Sequence, residues 1–79
     1  METWHNRLQE ALHSRGLDWQ DLFAQMSIEA RLRKPSVYAW KPDATKRSTM
    51  MDADNSALVC KWLKISPLWL FHGRGASGL

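Results

Sequence analysis

The sequence predicts an all-helical fold of five short helices, and three observations predict it. Tryptophan and leucine recur at spacings of three and four, the period of one helix face. Residues that start and stop helices punctuate the chain between those stretches. No stretch alternates apolar and polar residues as a half-buried strand would, and no internal repeat is present. At 79 residues the chain holds one domain, small enough to have a thin margin of stability.

Thr3 caps a first helix along which Trp4, Leu8, Ala11, Leu12 and Arg15 follow at helical spacing, with Asn6, Arg7, Gln9, Glu10 and Ser14 between them. Gly16 is placed to end it in a left-handed conformation. His5 and His13 are eight apart, too far for a metal pair, and are expected to face solvent. Asp18 caps a second helix with Asp21 at its third position, where a carboxylate can reach back to the cap. Leu22, Phe23 and Met26 form its buried stripe. Its end is open to two readings, because no glycine stands near Ser27. The helix either runs about a turn past Ser27 and breaks near Arg33 and Lys34, or it breaks at Ser27 and a long basic turn follows.

Residues 35–40, Pro-Ser-Val-Tyr-Ala-Trp, predict a short third helix, with Pro35 suited to the first turn. Val37 and Trp40 share a face and point inward, while Ser36, Tyr38 and Ala39 point the other way. Pro42 stops this helix. The loop over residues 41–49 is long for a helix–helix connection, and its Lys, Arg, Ser and Thr are types that bind phosphate. A fourth helix starts around Asp52 or Asp54, with Leu58, Val59, Trp62 and Leu63 inward and Lys61 and Lys64 near its C-terminal end. Ser66 and Pro67 start a fifth helix over residues 67–72, closed by Gly73. The domain thus spans residues 1–73, and residues 74–79 are expected to be a flexible tail.

Composition narrows the function. One cysteine, Cys60, excludes an internal disulfide and a multi-cysteine zinc site, and it is expected to be a small buried apolar residue. No apolar run approaches the ~20 residues of a membrane span, and the N-terminus lacks the basic and apolar segments of a signal peptide. A reducing, cytoplasmic setting is expected. No Ser/His/Asp or Cys/His pairing has a useful spacing and no glycine-rich phosphate loop occurs, so neither an enzyme, a metal nor a cofactor is expected. The five tryptophans fall at helical spacing with leucine and are expected in the core, Trp19 excepted. Net charge is +3, but residues 31–47 alone carry +5: Arg31, Arg33, Lys34, Lys41, Lys46 and Arg47 face one anion, Asp43. A solvated basic loop would explain that window. A polyanion-facing surface explains it better, because the window brackets the third helix, whose one buried and one exposed edge suit a DNA-reading element.

The chain also resembles the lambda-repressor-like helix-turn-helix family of phage Cro and repressor proteins and related bacterial regulators. The resemblance rests on Trp4, His5, Asn6, Arg7, Leu8, Ala11, Leu12, Gly16 and Leu17, on Asp21, Leu22, Phe23 and Ala24, and on residues 35–40. Its most specific piece is residues 62–73, Trp-Leu-Lys-Ile-Ser-Pro-Leu-Trp-Leu-Phe-His-Gly. It covers about residues 3–73. It implies a third helix in the major groove and a second braced across the backbone. Matched by position, Lys34, Ser36, Tyr38 and Ala39 fall toward base edges or nearby phosphates, the loop after Trp40 on phosphate, and Gln20 and Trp19 where the family anchors the second helix. Two departures stand out. The connection before the third helix reads about four residues longer than usual, filled by residues 30–34, and Arg33 takes the N-cap where the family has Ser or Thr.

The expected function is a sequence-specific, double-stranded-DNA-binding regulator, a Cro-like repressor acting by operator occupancy. Arg31, Arg33, Lys34, Lys41, Lys46, Arg47 and Gln20 would bind phosphates or nearby edges, and Ser36, Tyr38 and Ala39 would face bases. A pseudo-palindromic operator and a homodimer are expected, with Leu68, Trp69 and Phe71 as the interface. Two alternatives remain: a protein-binding antirepressor or antitoxin module with a drifted helix-turn-helix, and a non-specific nucleoid-type binder.

Overall fold

The computed structural model describes residues 2–45 and 50–78. Five helices follow in order: α1 (Trp4–Ser14), α2 (Trp19–Ala30), α3 (Lys34–Tyr38), α4 (Ala53–Leu63) and α5 (Pro67–His72). Among the described residues there is no strand, only an isolated bridge between Ile65 and Gly78. No helix among them is long and apolar enough to cross a membrane.

Local chemistry explains most of the helix ends. Asn6 Oδ1 accepts from both the backbone N–H (3.1 Å) and the hydroxyl (3.0 Å) of Thr3, which closes the first turn of α1. At its other end Gly16 adopts φ +69°, Leu17 N–H donates to Leu12 O and Gly16 N–H to His13 O, the bonding of a Schellman end. Asp18 and Asp21 form a reciprocal box at the start of α2: Asp21 N–H donates to Asp18 Oδ1 (3.0 Å) and Asp18 N–H to Asp21 Oδ2 (2.9 Å). The Asp21 N–H holds the Asp18 carboxyl below its ordinary range. Ser66 precedes α5 as expected but makes no side-chain cap; its carbonyl accepts from Leu70 N–H instead.

The second helix continues past Ser27 to Ala30, about a turn, and breaks at Arg31 rather than at Arg33 and Lys34. Arg31 takes the left-handed conformation (φ +54°) that a glycine would otherwise supply, and Lys64 does the same after α4 (φ +56°). Only residues 31–33 then connect α2 to α3: of residues 30–34, read as filling this connection, Ala30 ends α2 and Lys34 starts α3. The third helix is shorter than residues 35–40: it ends at Tyr38, and Ala39 and Trp40 form the turn that follows.

The core is one cluster drawn from every helix. Leu8, Leu12, Leu22, Met26, Val37, Val59, Leu63, Ile65 and Leu70 are fully buried, and Trp4, Trp40 and Cys60 join them. Val37 and Trp40 thus take the inward positions their spacing predicts. Burial also pushes the Cys60 thiol up, keeping it protonated. Two expectations of exposure, for Trp19 and His5, are overturned. Trp19 is buried, its Nε1–H donating to Gln9 Oε1 at 3.2 Å. His5 and Arg7 are buried as well, because both reach backbone carbonyls far along the chain.

Those carbonyls show what α1 does for the fold. His5 Nδ1 lies 2.9 Å from Trp40 O at the end of the turn after α3. Arg7 Nε–H donates to Leu70 O in α5 at 2.7 Å, and Arg15 Nε–H to Leu63 O at the end of α4 at 2.7 Å. The last carbonyls of a helix have no partner within it and carry the negative end of its dipole, so cationic donors suit them. α1 and its C-cap Arg15 therefore hold the ends of α4 and α5 and the turn that follows α3. The chain after α5 returns to the same region, Ser66 N–H donating to Ser77 O at 2.9 Å.

Candidate nucleic-acid interface

Tyr38 is the centre of the candidate surface. It sits at the last position of α3, and its hydroxyl donates to Gln20 Oε1 in α2 at 3.2 Å. Two ammonium groups lie against its ring: Lys34 Nζ at 5.1 Å and Lys41 Nζ at 5.4 Å from the centroid. Such contacts are worth about 0.5–1 kcal/mol each at exposed sites. Four of the candidate DNA-binding residues, Gln20, Lys34, Tyr38 and Lys41, are thus gathered by direct contact. The sequence places them up to 21 positions apart.

The remaining candidates divide. Ser36 and Tyr38 are two apart on a helix, hence on different sides of it. Ala39 lies between them and lines two concavities. One is an open depression of about 550 Å³ bounded by Pro35, Tyr38, Ala39, Lys41, Asp43, Ala44 and Thr45. The other, about 240 Å³, holds Ser36 with Leu32, Trp40, Met51 and Asn55. Arg31 and Arg33 are exposed on the connection that leads into α3. Lys46 and Arg47 lie outside the described residues.

Among the described residues the ion pair is Arg7–Glu2 (3.4 Å), and none of Arg31, Arg33, Lys34 and Lys41 has a carboxylate within 4.0 Å. Arg33, where Ser or Thr was expected, makes no side-chain cap on α3.

The proposed dimer residues are unequal in exposure. Leu68 is 52% exposed, whereas Trp69 and Phe71 are half-buried, the Phe71 ring 5.6 Å from that of Trp4. Two exposed apolar side chains, Ile28 and Met50, were not among the residues singled out from the sequence. Ile28 was legible, since it falls two positions past Met26 and so off the buried stripe of α2. No protein-family model, curated protein or solved structure matches the chain.

Proposed function

We propose that this protein is a sequence-specific double-stranded-DNA-binding transcriptional regulator of the lambda-repressor-like helix-turn-helix kind, a Cro-like repressor that acts by occupying its operator. One observation carries the proposal: Tyr38 joins Gln20 of α2 to Lys34 and Lys41 of α3 and its exit, on a surface where, among the described residues, Arg31, Arg33, Lys34 and Lys41 have no carboxylate within 4.0 Å. Two helices packed together across a three-residue connection suit a helix-turn-helix. In this role Arg31, Arg33, Lys34 and Lys41, with Lys46 and Arg47, neutralise phosphates, and Gln20 anchors the start of α2. Tyr38 and Ala39 face base edges, Ala39 suited to a thymine methyl, while Ser36, on another side of α3, reaches a phosphate or a polar edge beside them. A dimer through Leu68, with Trp69 and Phe71 behind it, would present two such surfaces ~34 Å apart to a pseudo-palindromic site.

The test is a titration of mixed-sequence duplex DNA against the protein at rising salt. Log affinity falls linearly with log salt, and replacing Arg31 and Arg33 together with alanine lowers the slope by about 0.9 for each phosphate no longer neutralised. No binding at low salt would exclude a DNA-binding role and favour a protein-binding module. For such a module the exposed Ile28 and Leu68 offer apolar docking points.

A further inference from the structure

α3 is a helix of five residues with no side-chain cap at its start. Its exit is held from α1. His5 is 5% exposed, and its Nδ1 lies 2.9 Å from the carbonyl oxygen of Trp40, 35 residues away. A carbonyl oxygen only accepts, so Nδ1 carries the hydrogen and donates it. The imidazole stacks on the Trp4 indole, ring centroids 3.9 Å apart and planes 26° from parallel, which holds the plane of the ring.

The Trp40 carbonyl belongs to the same planar peptide unit as the Lys41 nitrogen. Lys41 N–H donates to Tyr38 O at 3.2 Å, and the Lys41 ammonium lies against the Tyr38 ring. Holding the carbonyl therefore fixes the plane from which Lys41 leaves the helix. Without it, the end of so short a helix has little to define its direction.

We propose that His5 is a positioning residue for the nucleic-acid surface: buried and away from any ligand, it sets the exit of α3 and the direction of Lys41, and through them the preference for one DNA sequence over another. The functional half of this proposal rests on the DNA-binding role proposed above; the positioning of α3 stands apart from it.

Two variants separate shape from hydrogen bonding. His5→Phe keeps a stacking ring and loses the donor. In His5→Asn, Nδ2 takes the place of Nδ1 and keeps a donor. A hydrogen bond of ordinary strength corresponds to about tenfold in an equilibrium. In His5→Phe, amide exchange at Ala39, Trp40 and Lys41 therefore speeds up about tenfold relative to amides of α4. The affinity ratio for the duplex most enriched from a random pool over its scrambled form falls by a similar factor. His5→Asn recovers both quantities. Exchange and preference unaltered in His5→Phe, equal behaviour of the two variants, or faster exchange with preference intact would each overturn the proposal. If the parent protein binds no duplex, the DNA-binding role fails, and exchange still decides whether His5 holds α3. Should His5→Phe not fold, imidazole nitrogen chemical shifts of the parent protein decide: a hydrogen on Nδ1 is expected, and one on Nε2 alone overturns the hydrogen bond to Trp40.

Discussion

Arg7 looks like a surface residue of a short helix, yet it is among the most constrained side chains in the molecule. Its Nε donates to Leu70 O at 2.7 Å, Nη1 lies 3.4 Å from Glu2 Oε1, and the side chain is 10% exposed. Gly73 closes this neighbourhood, since a Cβ there would stand 3.3 Å from Arg7 Nη1 on a backbone already at φ +68°. Arg7→Met keeps the apolar stem and strips the donors, leaving a buried carbonyl unbonded. The urea midpoint should fall by the equivalent of about 1–3 kcal/mol with an unchanged slope. An unmoved midpoint would mean that water replaces the guanidinium at no cost. At Tyr38 the expected effect is on choice rather than on stability. Tyr38→Ala removes the partner of Gln20 and the ring that both lysines approach. It should change the ranking of duplexes in a competition assay; uniform weakening of every duplex would remove Tyr38 from the base-reading residues.

The helices owe their limits to a few end residues, and these make separate predictions. Asp18 is held below the ordinary aspartate range by the Asp21 N–H. Its folded pKa is depressed, so the unfolded chain takes up the proton first as pH falls. The stabilisation is fully present above the unfolded value and is lost as pH drops through the folded one. Asp18→Asn, which still caps, should remove that part of the acid dependence in urea midpoints measured across the aspartate range; an identical acid profile would contradict the role. After α4, Lys64 occupies a left-handed position that favours glycine, with Ile65 N–H donating to Cys60 O behind it. Lys64→Gly should raise stability by about 1 kcal/mol, read as a higher denaturant midpoint. A lower midpoint would show that the lysine side chain contributes more than its backbone costs. Arg31 carries the same strain at the end of α2, next to the proposed surface. Relief there would come with the loss of a cation.

For the molecule as a whole, what was legible in the sequence is what is local. The order of the five helices, the Gly16 and Gly73 ends, the Asp18 and Asp21 box and the inward pair Val37 and Trp40 follow from spacing and caps within a few residues. What escaped is what α1 reaches across the chain. His5, Arg7 and Arg15 bond carbonyls 35, 63 and 48 residues away, and a polar side chain on a helix carries no local sign of such a partner. The end of α2 escaped for a related reason, because Arg31 adopts a conformation its residue type does not announce. In the candidate site, the basic window was visible as charge, whereas the Gln20–Tyr38 bond, spanning 18 residues, was not. In the proposed role a single α3 would read only a few base pairs, and useful specificity would then call for two copies on two half-sites. The most direct test of sequence-specific recognition is therefore selection of bound sequences from a random duplex pool at low and at moderate salt. Enrichment of a short inverted repeat, with half-sites about one helical turn apart, is the predicted result. Binding without enrichment, or no binding at low salt, would contradict it.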